Sequence, residues 1–143
     1  MGSNPKGHTT KETKNMATMT DNRTEVIAAQ NDKVRAVLNS GLGFLGCAEG
    51  GVKFKLVWTP GIDEAFMQTG RAKTVLSAVA DFDDFTEDNN PHGEREFAAL
   101  DIEGTRIFFK IDYYNLTLDG GSEDPADTAQ TMRVLTLMLP AEY

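Results

Sequence analysis

Cysteine and long apolar stretches are both scarce in this sequence. Cys47 is the only cysteine among 143 residues, so no disulfide forms within the chain and no cysteine cluster holds structural zinc. No apolar run approaches the roughly 20 residues of a membrane-spanning helix, and the first residues lack the apolar segment of a secretory signal. We therefore expect a cytoplasmic protein that has no association with a membrane.

The sequence also lacks the short motifs that mark common enzyme classes. It contains no glycine-rich phosphate loop of the form GxxxxGK[ST], and no GxGxxG dinucleotide fingerprint follows a predicted strand. Ser122 does not stand in the G-x-S-x-G spacing of a nucleophile elbow. We expect no cofactor, and we interpret Cys47 as a small structural residue, since the sequence shows no basic neighbourhood around it that would favour a reactive thiolate.

Positive charge is scarce outside the first residues. The net charge is −8, and residues 1–23 carry +2, which leaves −10 on the remainder. A negative field repels nucleic-acid phosphates and attracts basic surfaces, although the same charge also keeps a protein soluble. We therefore expect a basic protein partner and no nucleic-acid partner, and the sequence leaves the oligomeric state open.

The chain divides into a polar tail and one domain. Residues 1–22 show no hydrophobic periodicity and are predicted to be disordered. Residues 23–143 have the length and apolar content of a single folded domain.

Two segments have the apolar spacing of a helix. The first runs from Thr24 to Leu38 and is predicted to end at the glycines at positions 41 and 43. The second begins at Ile62 and continues to Phe82, with Gly70 as the point where it can divide.

The clearest strands form a β-hairpin. Residues 98–102 and 105–113 alternate apolar and polar around a Glu103-Gly104 turn. This register places Asp101 opposite Arg106 and Arg95 opposite Asp112, and both pairs have opposite charges. We expect the Arg95–Asp112 pair to tie the preceding polar loop to the sheet.

Two further segments complete the predicted fold. Residues 52–59 alternate as a half-buried strand, and residues 133–139 are apolar on both faces, which is typical of a central strand. Asp124 and Pro125 resemble the start of a short helix before that last strand. The sequence predicts an α+β fold in which an antiparallel sheet of about four strands has two main helices on one face.

Acidic residues concentrate in two polar segments. The longer segment, residues 82–97, reads FDDFTEDNNPHGEREF, and the shorter one reads GSEDPAD. Polar segments between apolar elements form loops, and loops on a rigid scaffold often carry recognition. The sequence predicts a binding surface for a basic protein that comprises Asp83, Asp84, Glu87, Asp88, Glu123 and Asp124.

The same segment allows a second interpretation. His92 and Glu94 alternate just before a strand, and Asp112 lies near the end of its partner strand. His92 and Asp112 suit acid-base catalysis, and His92 and Glu94, with Asp88 or Asp112 completing the set, suit a divalent transition metal. The alternative function is therefore a small enzyme or metal-dependent hydrolase, whereas the structural interpretation assigns no metal and leaves His92 to fix a turn.

From about Asn31 onward, the sequence resembles a bacterial family known as domain of unknown function 3768, whose members often occur on plasmids and other mobile elements. The resemblance rests on N-D-x-x-R at residues 31–35, T-P-G at 59–61, the 82–97 segment, KIDYY at 110–114, and GSEDPAD with RVLTLMLPAEY. The family commonly has a second histidine where this chain has Arg95. The resemblance supplies no activity; from the acidic charge together with this family context, we expect a small binding or regulatory protein of a mobile element.

Overall fold

A computed structural model describes residues 22–40 and 45–143, with the side chain of residue 45 excepted. The predicted tail, except residue 22, and the predicted helix stops at Gly41 and Gly43 lie outside these residues. Helix α1 spans 22–37 and continues as a 3-10 turn, Leu38–Ser40. The later helices are α2, Pro60–Ile62, which runs into a π-helical turn, Asp63–Met67, and α3, Ala72–Asp81. The strands are β1 Leu45–Ala48, β2 Val52–Trp58, β3 Phe97–Ile102, β4 Thr105–Tyr114 and β5 Met132–Met138.

The strands form one mixed sheet in the order β1-β2-β5-β4-β3. The prediction of a purely antiparallel sheet of about four strands is wrong, because β1 adds a fifth strand and β2 pairs with β5 in parallel. The α+β class is confirmed, and so is the central position of β5, which lies between β2 and β4. A strand with a neighbour on each side and apolar residues on both faces fits that position.

The hairpin register is confirmed, with Asp101 opposite Arg106 and Phe97 opposite Lys110. The predicted Arg95–Asp112 pair is wrong. Arg95 lies before the start of β3 and has a positive φ of 55°, so the backbone leaves the strand path there. The Arg95 side chain binds Asp32 of α1, and Asp112 pairs with Lys110 of its own strand.

One hydrophobic core joins the helices to one face of the sheet. Val34 of α1, Ile62 and Phe66 near α2, and Val75 and Val79 of α3 are all fully buried. They share a cluster with the alternate strand residues Phe54, Leu56, Leu100, Ile107, Phe109, Leu135 and Leu137. The second helical segment divides at Gly70 as predicted, where φ is +76°.

The predicted short helix after Asp124 does not form. The Asp124 carboxylate accepts a hydrogen bond from the amide of Ala126 at 3.2 Å, which is a local turn that competes with a helix. The carbonyls of Pro125, Ala126 and Thr128 accept side-chain hydrogen bonds from β5, α1 and β2 respectively. Those carbonyls therefore accept hydrogen bonds from side chains of other elements and not from the backbone amides of a helix.

Within the described residues, no helix has the length and apolarity needed to cross a membrane.

Candidate functional site

A buried polar network connects α1, β4 and β5 through Asn31. The Asn31 amide donates hydrogen bonds to the carbonyl of Glu94 at 2.9 Å and to the hydroxyl of Tyr113 at 2.8 Å. Its oxygen accepts a hydrogen bond from Nε of Arg133 at 2.7 Å. The Tyr113 hydroxyl donates to the Glu94 carboxylate at 2.8 Å. Asn31 is 0% exposed, so this single side chain fixes three segments inside the protein.

Arg133 is a buried cation in an otherwise apolar strand. Its guanidinium lies 5.1 Å from the centroid of the Tyr113 ring and donates to the Pro125 carbonyl at 3.1 Å. Burial lowers the pKa of Arg133, and burial also raises the pKa of Tyr113. The network therefore tolerates a charge in the core because an aromatic face and two neutral acceptors, the Asn31 side-chain oxygen and the Pro125 carbonyl, contact it.

A second cluster links α1 to the polar segment through Asp32. Its carboxylate accepts hydrogen bonds from Arg35 at 2.7 Å and from both Nε and Nη2 of Arg95, the latter at 2.7 Å. The hydrogen bond to Asp32 raises the pKa of Arg95. Arg35 also donates to the carbonyls of Val79 and Phe82 at 3.0 and 2.8 Å, which satisfies the last turn of α3.

The aromatic side chains beside Arg35 anchor the chain that follows α3. The Arg35 guanidinium lies 5.3 Å from the ring centroids of both Phe85 and Phe109. Phe82 and Phe85 meet edge to face with centroids 4.9 Å apart. Such contacts hold a loop firmly, because they add directed ring and cation interactions to the apolar burial.

Residues 83–88, here called the acidic loop, have an ordered backbone. The Asn89 side chain accepts from the amide of Thr86 at 2.7 Å and donates to the carbonyl of Asp84 at 2.8 Å. The amide of Asn90 donates to the Thr86 carbonyl at 2.9 Å. All four acids of the loop are exposed: Asp83, Asp84, Glu87 and Asp88.

The structure places the two predicted acidic segments against different parts of α1. Asp124 pairs with Arg23 at the start of α1, whereas the chain entering the acidic loop contacts Arg35. Twelve residues of helix correspond to about 18 Å. Glu123 is exposed and lines a separate hollow beside Asn115. Asp83 lines a hollow above Asp32 and Arg95.

His92 and Asp112 lie on the side of the sheet that faces away from the helices. Glu94 lies apart from both of them. His92 and Asp112 line a hollow of about 340 Å³ at the edge formed by β3 and β4. We call it the sheet hollow; its lining residues are Asn89, Pro91, His92, Glu96, Phe97, Lys110, Ile111, Asp112 and Tyr143. Glu94 instead binds Tyr113, which follows Asp112 on β4 and therefore faces the opposite side of the sheet.

The described residues contain no group of three histidine, cysteine, aspartate or glutamate side chains placed to hold a metal ion. His92 makes no side-chain hydrogen bond to any described residue. Its imidazole therefore has neither the fixed tautomer nor the oriented partner that acid-base catalysis uses.

The segment 139–143 ties the far end of the sheet to α2. The Glu142 carboxylate accepts hydrogen bonds from the Thr59 hydroxyl, the Gly61 amide at 2.8 Å and the Leu139 amide at 2.9 Å. The bond from Thr59 is the largest cause that lowers the pKa of Glu142. A Cβ added at Gly61 would lie 2.6 Å from the Leu139 side chain and 2.7 Å from the Glu142 carboxylate, so a larger residue there would displace both side chains.

Comparison with known protein families places the chain in a family. The profile of the family described as "Protein of unknown function (DUF3768)" matches residues 58–142, and the chain belongs to this family. No curated protein and no solved structure matched it.

Short motifs from distant parts of the sequence meet in space. Asn31 and Asp32 of the first motif contact Glu94 and Arg95 of the 82–97 segment. Thr59 and Gly61 of T-P-G contact Glu142. These motifs therefore build the scaffold that holds the acidic loop and the sheet hollow.

The apolar pattern of residues 133–139 predicted a central strand and no separate role for Arg133. The signal was present, because a single arginine in the apolar run RVLTLML needs buried polar partners. Asn31 supplies one of them from a distance of 102 residues along the chain.

Proposed function

We propose that this protein is a small acidic binding protein that engages a basic surface of another protein through the acidic loop. The observation that carries this proposal is the loop's ordered backbone beneath four exposed carboxylates. A preordered loop loses little conformational entropy when it binds, so its charges contribute more of their attraction to affinity.

The anchoring of the loop supports the same proposal. Phe82 and Phe85 pack beside the core, and Arg35 holds the carbonyl of Phe82. A loop that served only for solubility would not need fixed ends, since exposed charges act on solubility wherever they point. Glu123 and Asp124 add negative charge beside the start of α1 and extend the field that steers a basic partner.

We also propose the biological context and the cellular compartment in which the protein acts. The family resemblance supports a regulatory role in a bacterial mobile element, and the single cysteine supports the cytoplasm. Acid-base chemistry centred on His92, Glu94 and Asp112 has less support, because Glu94 and Asp112 lie on opposite faces of the sheet.

The test is quantitative capture from a lysate of the encoding organism, with tagged wild type and a variant that neutralises the acidic loop. The loop variant carries Asp83→Asn, Asp84→Asn, Glu87→Gln and Asp88→Asn. We expect wild type to enrich a basic protein and the loop variant to lose at least about 90% of it. Capture by wild type should also fall between about 0.05 and 0.15 M salt, because screening shortens the reach of exposed charges.

A matched control removes the same charge elsewhere. It carries Glu49→Gln, Glu64→Gln, Asp101→Asn and Glu103→Gln, which are four exposed positions outside the acidic loop. The control should retain the partner. Equal loss in both variants would reduce the effect to net charge, and equal retention in both would refute a role for the loop.

A further inference from the structure

The sheet hollow combines two acidic residues with one cation. Glu96 and Asp112 line it together with Lys110, so the formal charges of these three side chains sum to −1. Lys110 pairs with Oδ2 of Asp112 at 3.1 Å. Among the described residues, neither Oδ1 of Asp112 nor the Glu96 carboxylate has a hydrogen-bond partner, so acceptor capacity remains at the site.

Aromatic rings form the other wall of the sheet hollow. Phe97 lies 5.1 Å from Phe108 and 5.7 Å from Tyr143, measured between ring centroids. Tyr143 packs edge to face on Phe108 at 5.8 Å, yet it remains 75% exposed. An exposed ring beside free carboxylate oxygens attracts a cation by its face as well as by charge.

We propose that the sheet hollow receives an arginine side chain of the basic partner, an inference that rests on the proposed function. The guanidinium donates a hydrogen bond to Oδ1 of Asp112 and lies against the rings of Tyr143 and Phe97. Asn89, Pro91 and His92 of the hollow directly follow the acidic loop in sequence, so one basic surface reaches both. The acidic loop then attracts the basic partner, and the sheet hollow makes the binding specific for arginine.

Arginine fits this site better than lysine for two reasons. The planar guanidinium both stacks on rings and donates several hydrogen bonds in one plane, whereas an ammonium is a strongly hydrated point charge. Lys110 already provides an ammonium at Oδ2 of Asp112, and a guanidinium has enough donors to bind Oδ1 and a second acceptor beside it.

The direct test is an NMR titration of the full chain with blocked arginine, Nα-acetyl-arginine methylamide. Blocked citrulline, which has the same shape without the charge, is the matched probe. We expect saturable shifts of the backbone amides of Lys110, Asp112 and Tyr143 with arginine and none with citrulline. Shifts that are absent with arginine, or that are equal for the two probes, would overturn the proposal.

Two substitutions in the hollow should act in opposite directions. Asp112→Asn should weaken arginine binding about tenfold, because it removes a charge-assisted hydrogen bond. Lys110→Met should tighten binding, because it removes the competing cation and leaves two acidic residues. An anion-binding hollow would give the reverse pattern. Tyr143→Ala should also weaken binding, while Asp101→Asn, on the same strand pair but outside the hollow, should leave it unchanged.

The outcomes separate this inference from the proposed function. If the loop variant loses the captured protein while Asp112→Asn and Tyr143→Ala retain it in full, the acidic loop is the binding surface and the arginine pocket is refuted. If arginine binds the hollow but no basic protein is captured by wild type, the proposed function fails and the hollow is a site for a free cationic ligand.

Discussion

At the scale of single residues, Asn31 is a buried polar side chain that connects three segments of the chain. It is fully buried and contacts Glu94 in the segment before β3, Tyr113 of β4 and Arg133 of β5. Its removal would leave the donor of Arg133 and the hydroxyl of Tyr113 without their shared partner in the core. Unpaired buried groups cost more than the hydrogen bonds themselves contribute.

We therefore expect Asn31→Ala to lower the free energy of unfolding by about 2 to 4 kcal/mol. Asn39→Ala is the control, since Asn39 is exposed and makes one hydrogen bond, to Asp81; it should cost less than about 1 kcal/mol. Urea unfolding followed by circular dichroism measures both. Similar midpoints for the two variants would contradict the assigned role of Asn31.

Glu142 predicts a pH dependence of stability. Its hydrogen bonds hold its pKa in the folded protein below the usual value, so its contribution is present above about pH 4.3, the pKa of a free glutamate. The contribution is lost as the pH falls through the lowered pKa. We expect Glu142→Gln to have a lower Tm than wild type at pH 7 and the two Tm values to converge below about pH 4.

The control for Glu142 is Glu64→Gln, an exposed glutamate with no side-chain hydrogen bond to a described residue. Its Tm difference from wild type should stay small and should not change between pH 7 and 3. A gap for Glu142→Gln that is equally large at pH 7 and pH 3 would show that the carboxylate charge does not hold segment 139–143.

At the scale of elements, the sequence predicted what local patterns encode. The hairpin register followed from alternation and the tight turn, and the division of the second helix followed from Gly70. The parallel pairing of β2 with β5 was missed, because it joins residues such as Lys53 and Met132 that lie far apart in sequence. No local periodicity specifies such a pairing, which depends on how the intervening elements pack.

The candidate site was predictable to a similar degree. The exposure of the acidic loop follows from its residue types, whereas the sequence left open whether His92, Glu94 and Asp112 converge in space. The roles of Arg95 and Glu94 did not follow, because the positive φ of Arg95 changes the direction of the chain before β3. An arginine at that conformation gives no sequence signal comparable to a glycine.

The order of the acidic loop is a property that can be measured at this scale. The Asn89 side chain makes two hydrogen bonds to its backbone, so Asn89→Ala should speed hydrogen exchange of the Thr86 amide about tenfold or more. The urea midpoint should change little, since these bonds are exposed. Asp84→Asn, which keeps the backbone contacts, should exchange like wild type, and an unchanged rate in Asn89→Ala would show that the loop is not fixed by this residue.

At the scale of the whole molecule, negative charge and scaffold act together. The described chain carries most of the acidic residues, and its two buried arginines, Arg35 and Arg133, contact segments next to some of them. Arg35 binds beside the acidic loop, and Arg133 holds the carbonyl of Pro125 next to Asp124. The buried side chains of Arg35 and Arg133 thus help to position the acidic loop and Asp124 at the surface.

The most direct test of the acidic loop as a binding surface is zero-length carbodiimide cross-linking of the captured complex, which joins a carboxylate to a lysine in contact with it. Mass spectrometry of the linked peptides then reports which acids touch the partner. The account predicts links concentrated at Asp83, Asp84, Glu87 and Asp88, and their loss in about 0.5 M salt, where the Debye length is only a few ångströms. Links spread evenly over exposed acids such as Glu49 and Glu64, or concentrated there, would contradict it.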